Sequence, residues 1–307
     1  MIYTHSYSGI VWLDMESPSD DEVSGLVKRY GLHPLVGEEL KRSSALAKVD
    51  FFKDYTLVVL TVPVRIKKNG QNQIVDREID FVIGKNFLIT SRTETIEQLE
   101  YFGKIFETNS VLNKNEKIEH AGFLFYYMVK KIYAGMVEDL ENIKDALTNA
   151  ETRIYGGDER KMVEVLSNLS RELIDIKQTA RMHHDIWEEM VAHDHANIFG
   201  DSFGSYIHDI RDEFSIIHEL IVNVRELLAD LRETNDSLLN SKQNEIMKVL
   251  TMVSFIFSPL IFIAALFTIP ATSVPLIGTS WGWGLILAIM VILAGFIWWY
   301  FKKHRWL

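Results

Sequence analysis

Asn244, Met247, Thr251, Ser254, Ser258 and Ile261 recur at steps of three and four residues. On an α-helix that spacing returns to one face, so a carboxamide, a thioether and three hydroxyls share a single stripe. Such a stripe can offer dipoles to a passing ion. It also suits close packing of helices in lipid, where small hydroxyl residues are common at contacts. A second group of candidates, His183, His184, Asp185, Glu188, His193, Asp194 and His195, crowds the end of a helical stretch. His184 and Glu188 stand one turn apart, a spacing able to hold Zn2+ or Co2+, although histidines beside acids at a helix end are more often solvated. No phosphate-binding glycine loop, nucleophile motif or metalloprotease motif is present, which argues against an enzyme.

The stripe lies on an apolar element. Val249–Phe267 and Trp281–Phe301 contain no Asp, Glu, Lys, Arg or His, and each is long enough to cross a bilayer as a helix, which takes about 20 residues. Lys242 and Lys248 precede the first run and Lys302-Lys303-His304-Arg305 follow the second, while the segment between them is uncharged. Basic residues favour the cytoplasmic side, so a two-span hairpin with both termini in the cytoplasm is expected. Trp281 and Trp283 at one end, and Trp298, Trp299, Tyr300 and Trp306 at the other, supply interfacial aromatic belts. No N-terminal signal peptide is visible, so the first span must act as the insertion signal. The chain of 307 residues has no cysteine and a net charge of −10. Disulfides and thiolate metal sites are thereby excluded, and the acidic balance argues against nucleic acid and for a cation-attracting surface.

Upstream the pattern is mixed. Residues 1–116 read as an α/β domain with strands at Gly9–Asp14, Tyr55–Val62, Glu78–Ile83 and Asn86–Ser91 and a hairpin turn at Lys67-Lys68-Asn69-Gly70. Ser17-Pro18-Ser19 with Asp20, Asp21 and Glu22 reads as a helix start, closed at Gly31. Residues 117–200 read as two long antiparallel helices, Lys117 to about Ala150 and Asp158 to about His195, broken at Gly156-Gly157 and followed by a second break at Asn197–Gly204. From there no glycine or proline occurs until Pro259. Within that run Ile207, Ile210, Phe214, Ile217, Ile221, Val224, Leu228, Leu231, Asn235 and Leu238 alternate steps of three and four, a heptad seam that seeks partners, with Asn235 as a register-setting polar residue. A stalk at 201–248 therefore continues into a first span at 249–267, giving one helix on the order of 95 Å long. The economical expectation is self-association of the stalk; a coiled-coil dimer on an ordinary membrane anchor is the plainer one. A loop at 268–280, a second span at 281–301 and a basic tail at 302–307 complete the chain.

Several blocks resemble the CorA family of divalent-cation transporters. They are Trp12-Leu13-Asp14, Gly31-Leu32-His33-Pro34-Leu35 with Glu38-Glu39-Leu40, Lys48-Val49-Asp50, Gly84-Lys85-Asn86-Phe87-Leu88-Ile89-Thr90, Asn244–Thr251, Phe257–Ala264 and Lys302–Leu307. The resemblance implies a funnel-shaped homopentamer in the plasma (inner) membrane, an α/β cytoplasmic domain with a long helical stalk and two transmembrane helices. It implies a channel that lets divalent cations, Mg2+ above all, run down their electrochemical gradient. It assigns Asn244, Met247, Leu250, Ser258 and Ile261 to the pore lining, with Met247 and Leu250 as a hydrophobic constriction and Ser254 and Ser258 beyond it. Glu233 matches the stalk position at which the family carries an acid that, with a carboxylate of the neighbouring subunit, binds a regulatory cation; a solvated acid is the plainer reading. Two like charges about 8 Å apart repel by about 2 kcal/mol at an effective dielectric of 20, a repulsion that a bound cation would cancel.

One departure stands out. The family carries Gly-Met-Asn directly after the first span, and Thr268-Ile269-Pro270 stands there instead. The carboxamide that would meet hydrated Mg2+ at the outer mouth is absent, and hydroxyls such as Thr268 and backbone carbonyls remain. An altered mouth leaves room for Zn2+, Co2+, Ni2+ or a weakly selective flux, and for a non-conducting member that senses cations or holds a partner.

Overall fold

The computed structural model describes residues 1–7, 9–43, 47–68, 71–96, 99, 102, 120–193, 195–200, 202–268 and 281–304. These fall into two compact units, Met1–Arg232 and Glu233–Leu307.

The first unit is built on a six-stranded sheet. Strands β1 (Ile2–Tyr7), β2 (Ile10–Glu16), β3 (Lys48–Phe51), β4 (Tyr55–Lys68), β5 (Gln71–Gly84) and β6 (Phe87–Arg92) lie in the order β1-β2-β6-β5-β4-β3. Only β2 and β6 are parallel, and the remaining pairs are antiparallel. β4 and β5 form a ribbon whose register runs from Tyr55↔Gly84 to Lys68↔Gln71, longer than the alternation of apolar residues foretold. The tip of the anticipated turn, Asn69-Gly70, lies outside the described residues. β1 was not among the strands expected, although Ile2, Tyr3, Thr4 and Tyr7 are strand-favouring residues. It forms because its backbone completes the ladder on β2, a contribution that side-chain polarity does not report.

Helices cover both faces of the sheet. On one face α1 (Asp20–Tyr30) and α2 (Pro34–Glu39) press Val23, Leu26, Val36 and Leu40 onto Leu13, Met15, Leu57, Val59, Val82 and Ile89. α1 begins where the caps indicate: the Glu22 amide donates to Ser19 Oγ and the Ser19 amide donates to Glu22 Oε2 at 2.8 Å. It ends at Gly31, whose φ of 63° is the left-handed region that suits glycine. On the other face lie α3 (Gly122–Tyr155) and α4 (Glu159–Ala192), separated at Gly156-Gly157 where the sequence breaks. Phe125 of α3 stacks edge-on against Phe81 of β5. α4 is tied down by a buried chain in which Trp187 Nε1 donates to the Tyr133 hydroxyl, the hydroxyl to His183 Nδ1, and His183 Nε2 to the Thr61 carbonyl at 2.7 Å.

A short α5 (Ala196–Phe199) leads into α6 (Phe203–Thr268), a single 66-residue helix with Pro259 inside it. Its seam corrects an expectation. Ile207, Ile210, Phe214, Ile217, Ile221, Val224, Leu228 and Leu231 are all buried within this one chain. Phe214 lies 5.9 Å from the Tyr133 ring of α3 and 6.0 Å from the His183 ring of α4, and the Arg232 guanidinium donates to the Leu166 carbonyl of α4. Burying each such side chain contributes roughly 1.5–3 kcal/mol. The heptads therefore report an intramolecular three-helix packing and do not by themselves require a second copy.

The second unit contains the end of α6 and α7 (Gly282–Lys303). Eighteen-residue windows in these helices reach mean hydropathies of 2.4 and 2.3, and almost none of that surface is buried. Ile261, Phe262, Trp283, Val291 and Ile292 are all more than half exposed. Apolar helices that show this much surface are unstable in water and fit a bilayer.

Candidate functional site

The contact between α6 and α7 fixes which way the polar stripe points. Met252 is buried there and Ile256, Pro259, Leu260, Ile263 and Phe267 are half-buried. Phe255 lies 6.3 Å from Phe301 of α7, itself buried. At about 100° per residue, Met252, Ile256, Pro259 and Ile263 form one face, and Met247, Thr251, Ser254, Ser258 and Ile261 lie roughly a third to half a turn around the helix from it. All of the stripe is exposed, as are Asn244 and Leu250, with Met247 at 52%, Leu250 at 57% and Ile261 at 64%.

The hydroxyls are polarised in one sense. Thr251 Oγ1 donates to the Met247 carbonyl at 2.7 Å and Ser254 Oγ to the Leu250 carbonyl at 3.0 Å. With their protons committed to the backbone, both oxygens present only lone pairs to the open face. At these two positions the exposed oxygens can accept but not donate, which suits a cation better than an anion. Met247 and Leu250 sit at the stalk-side end of this row of oxygens and are apolar. At the opposite end Thr268 closes α6 and donates to the Ala265 carbonyl at 2.7 Å. Ile269 and Pro270 lie outside the described residues.

Glu233 is exposed on α6, with exposed Asp230 and Asp236 three residues to either side. Asn235, two residues on, is buried with its Oδ1 lacking a hydrogen-bond partner.

The histidine cluster dissolves into separate structural roles. His183 is wholly buried, and desolvation holds its pKa down at about 4 against the help of the Thr61 bond. His193 stacks on Phe51 with ring centroids 3.7 Å apart, and His195 Nε2 donates to the Met190 carbonyl at 2.6 Å. Asp194 lies outside the described residues. His184 and Glu188 are exposed, and His184 lines a shallow groove with Lys177, Arg181 and His218. No group of three or more His, Asp or Glu side chains able to hold a metal occurs among the described residues.

Two acidic arrangements were not legible in the sequence. Asp209 and Glu213 of α6 share Lys130 of α3, at 3.0 and 3.2 Å. Tyr126 also donates to Asp209, at 2.6 Å, and with Lys130 holds that carboxyl below its usual range. Burial and the Asp209 bond push the Tyr126 hydroxyl up to about 12. Asp80 of β5 is buried with its Oδ1 unpaired, and desolvation, then Glu78 and Glu39, raise its pKa well above the carboxylate range. Its only signal in the sequence is an acid between Ile79 and Phe81.

Comparison with known proteins agrees with this architecture. The family model described as CorA-like Mg2+ transporter protein matches residues 7–303. A cobalt/magnesium transport protein CorA of Thermotoga maritima is 25% identical over 291 residues, covering 94% of this chain and 80% of the relative. A second, from Methanocaldococcus jannaschii, is 22% identical over 298 residues, covering 97% of this chain and 92% of the relative. The solved structure of the complete CorA magnesium transporter from Methanocaldococcus jannaschii superimposes with a TM-score of 0.81 at 21% identity, over 97% of this chain and 92% of that one.

Proposed function

Because this chain belongs to the CorA family, whose model spans residues 7–303, we propose that it is a homopentameric, channel-type transporter that admits divalent cations, Mg2+ foremost, across the plasma membrane into the cytoplasm. The observation that carries the reading is the exposed polar stripe of α6, turned away from α7 except at Ser258, which borders the groove between the two helices. In an oligomer with α6 innermost, copies of Asn244, Thr251, Ser254 and Ser258 ring a shared axis. Against lipid the same oxygens would be unsolvated.

Mg2+ demands octahedral oxygen coordination and sheds water reluctantly, so hydroxyl lone pairs at pore distance suit its hydrated form. Met247 and Leu250 close the path by dewetting when their ring is narrow, with Ile261 as a second apolar level. Glu233 copies, each with a carboxylate of the neighbouring subunit, take up a cytoplasmic cation. That cation offsets their repulsion and favours the closed state, and its loss lets the subunits splay. The sequence carries no motif for coupling to another energy source, and the membrane potential supplies about 2.3 kcal/mol per charge per 100 mV.

A second reading keeps the path and changes the ion. The Thermotoga maritima and Methanocaldococcus jannaschii relatives carry cobalt beside magnesium in their names, and Thr268-Ile269-Pro270 here replaces the carboxamide at the mouth. Co2+ is then a substrate beside Mg2+, with Zn2+ and Ni2+ as competitors to test.

Liposomes carrying the full chain and an internal Mg2+ indicator test the proposal. Uptake that rises as internal Mg2+ is lowered is expected. No uptake above empty vesicles at any internal Mg2+ level overturns conduction and leaves a cation-sensing or scaffolding protein. Competition by Co2+, Zn2+ and Ni2+ in the same vesicles decides the second reading.

A further inference from the structure

Beside the α6–α7 contact a groove of about 890 Å³ opens within the membrane hairpin. Phe255, Pro259 and Phe262 of α6, with Ser258 at the edge of the polar stripe, form one wall and Phe296, Ile297 and Tyr300 of α7 the other, with His304 at one end. Phe255 and Phe262 are 60% and 65% exposed, so this wall is not closed by the hairpin itself. A gap of this size between apolar walls in a bilayer is filled by hydrocarbon or by another helix, because its lining otherwise forfeits its dispersion contacts.

Charge at the mouth chooses between them. The His304 ring lies 4.5 Å from Tyr300, at the end of the groove. Lys303 stands beside it, its ammonium 5.0 Å from the Trp299 ring at the level where aromatic belts meet headgroups. Lys248 lies about two turns before Phe255 on the same side of α6, ~10 Å along the axis. From Ser241 to His304 the only acid is Glu245. A second copy docking its own spans here would bring like charge to this mouth, whereas an anionic headgroup brings the opposite charge.

We propose that the groove between α6 and α7 is a phospholipid site: one acyl chain lies between Phe255–Phe262 and Phe296–Tyr300, and the phosphate of an anionic glycerophospholipid meets Lys303, His304 and Lys248. The site rests on the reading of the hairpin as membrane-spanning and is independent of ion conduction. It makes the seating of α7 against α6 sensitive to the anionic lipid content of the membrane.

Native mass spectrometry of the full chain in mild detergent, with equal phosphatidylglycerol and phosphatidylcholine of the same acyl chains, tests it. Retention of phosphatidylglycerol over phosphatidylcholine is expected, with the preference falling about fivefold for each lysine charge removed. Lys303→Gln with His304→Gln should lose the headgroup preference and keep acyl retention. Ile297→Trp, which fills the groove, should lose both lipids with the oligomer mass unchanged. Equal retention of the two lipids by the unaltered chain overturns the proposal, as does full lipid retention by Ile297→Trp. Absence of retained lipid, with Ile297→Trp splitting the oligomer, overturns it in favour of a second copy in the groove. Because lipid retention is read without flux, silent liposomes beside retained phosphatidylglycerol count against transport alone.

Discussion

α6 carries two periodic stripes, and they meet opposite fates. From Ile207 to Leu231 the repeating residues are apolar and buried against α3 and α4 of the same chain. From Asn244 to Ile261 they are largely polar and open, and only Ser258 borders the groove shared with α7. The spacing is the same in both. A periodic face announces that something will cover it, while the covering agent depends on what the chain brings near: two long helices in the first case, nothing among the described residues in the second.

The strongest way to break this contrast is to truncate the buried stripe. Phe214→Ala should cost about 3–5 kcal/mol of stability, as large-to-small core changes do, read by chemical denaturation, with the oligomer mass unchanged for the folded fraction. Dissociation without loss of stability would mean that the seam joins copies.

Acidification probes the same packed region. His183 titrates at about 4 in the folded chain against 6.5 for its ordinary value. The unfolded chain therefore binds more protons between those values, and stability is lost as pH falls from about 6.5 towards 4, by ~3 kcal/mol for a shift of this size. Buried His120, also held at about 4 by desolvation and then by Lys85, acts in the same direction. His183→Gln should flatten the pH dependence of the denaturation midpoint by the larger part, and an unchanged slope would show that the imidazole is not buried neutral.

On the open stripe the expected pattern reverses. Ser254→Ala with Ser258→Ala should leave stability within ~0.5 kcal/mol, as exposed substitutions do, while slowing Mg2+ uptake into liposomes on the order of a hundredfold or more. The loss reflects oxygen dipoles withdrawn from a charged species, at about 1.5–3 kcal/mol each. Full uptake by this variant would return the hydroxyls to helix packing. The smallest effect is expected at Glu233, where Glu233→Ala should remove up to ~2 kcal/mol of Mg2+-dependent protection, read as a smaller shift in thermal unfolding on adding Mg2+.

Much was legible from the residues alone. The spans follow from uncharged length, α1 from Ser19, Glu22 and Gly31, and the helix break from Gly156-Gly157, because each signal is local. Asp80 shows where local signals end. Alternation along β5 puts Ile79 and Phe81 on one face and suggests that Asp80 faces water, but α1 and α2 cover that second face and desolvate the acid. The histidines teach the same lesson: clustered in sequence, they point to Thr61, Phe51 and Met190, three places the sequence does not connect.

By itself the sequence determined element type, the two apolar crossings and the presence of two helical stripes, since capping, length and periodicity act over a few residues. Tertiary structure alone decided that the heptad seam is satisfied within the chain, that the Thr251 and Ser254 protons are turned back onto the helix, and that the polar stripe is left exposed beside the contact with α7. Those outcomes depend on which distant surfaces come together, and burial and hydrogen-bond partnership are properties of that meeting.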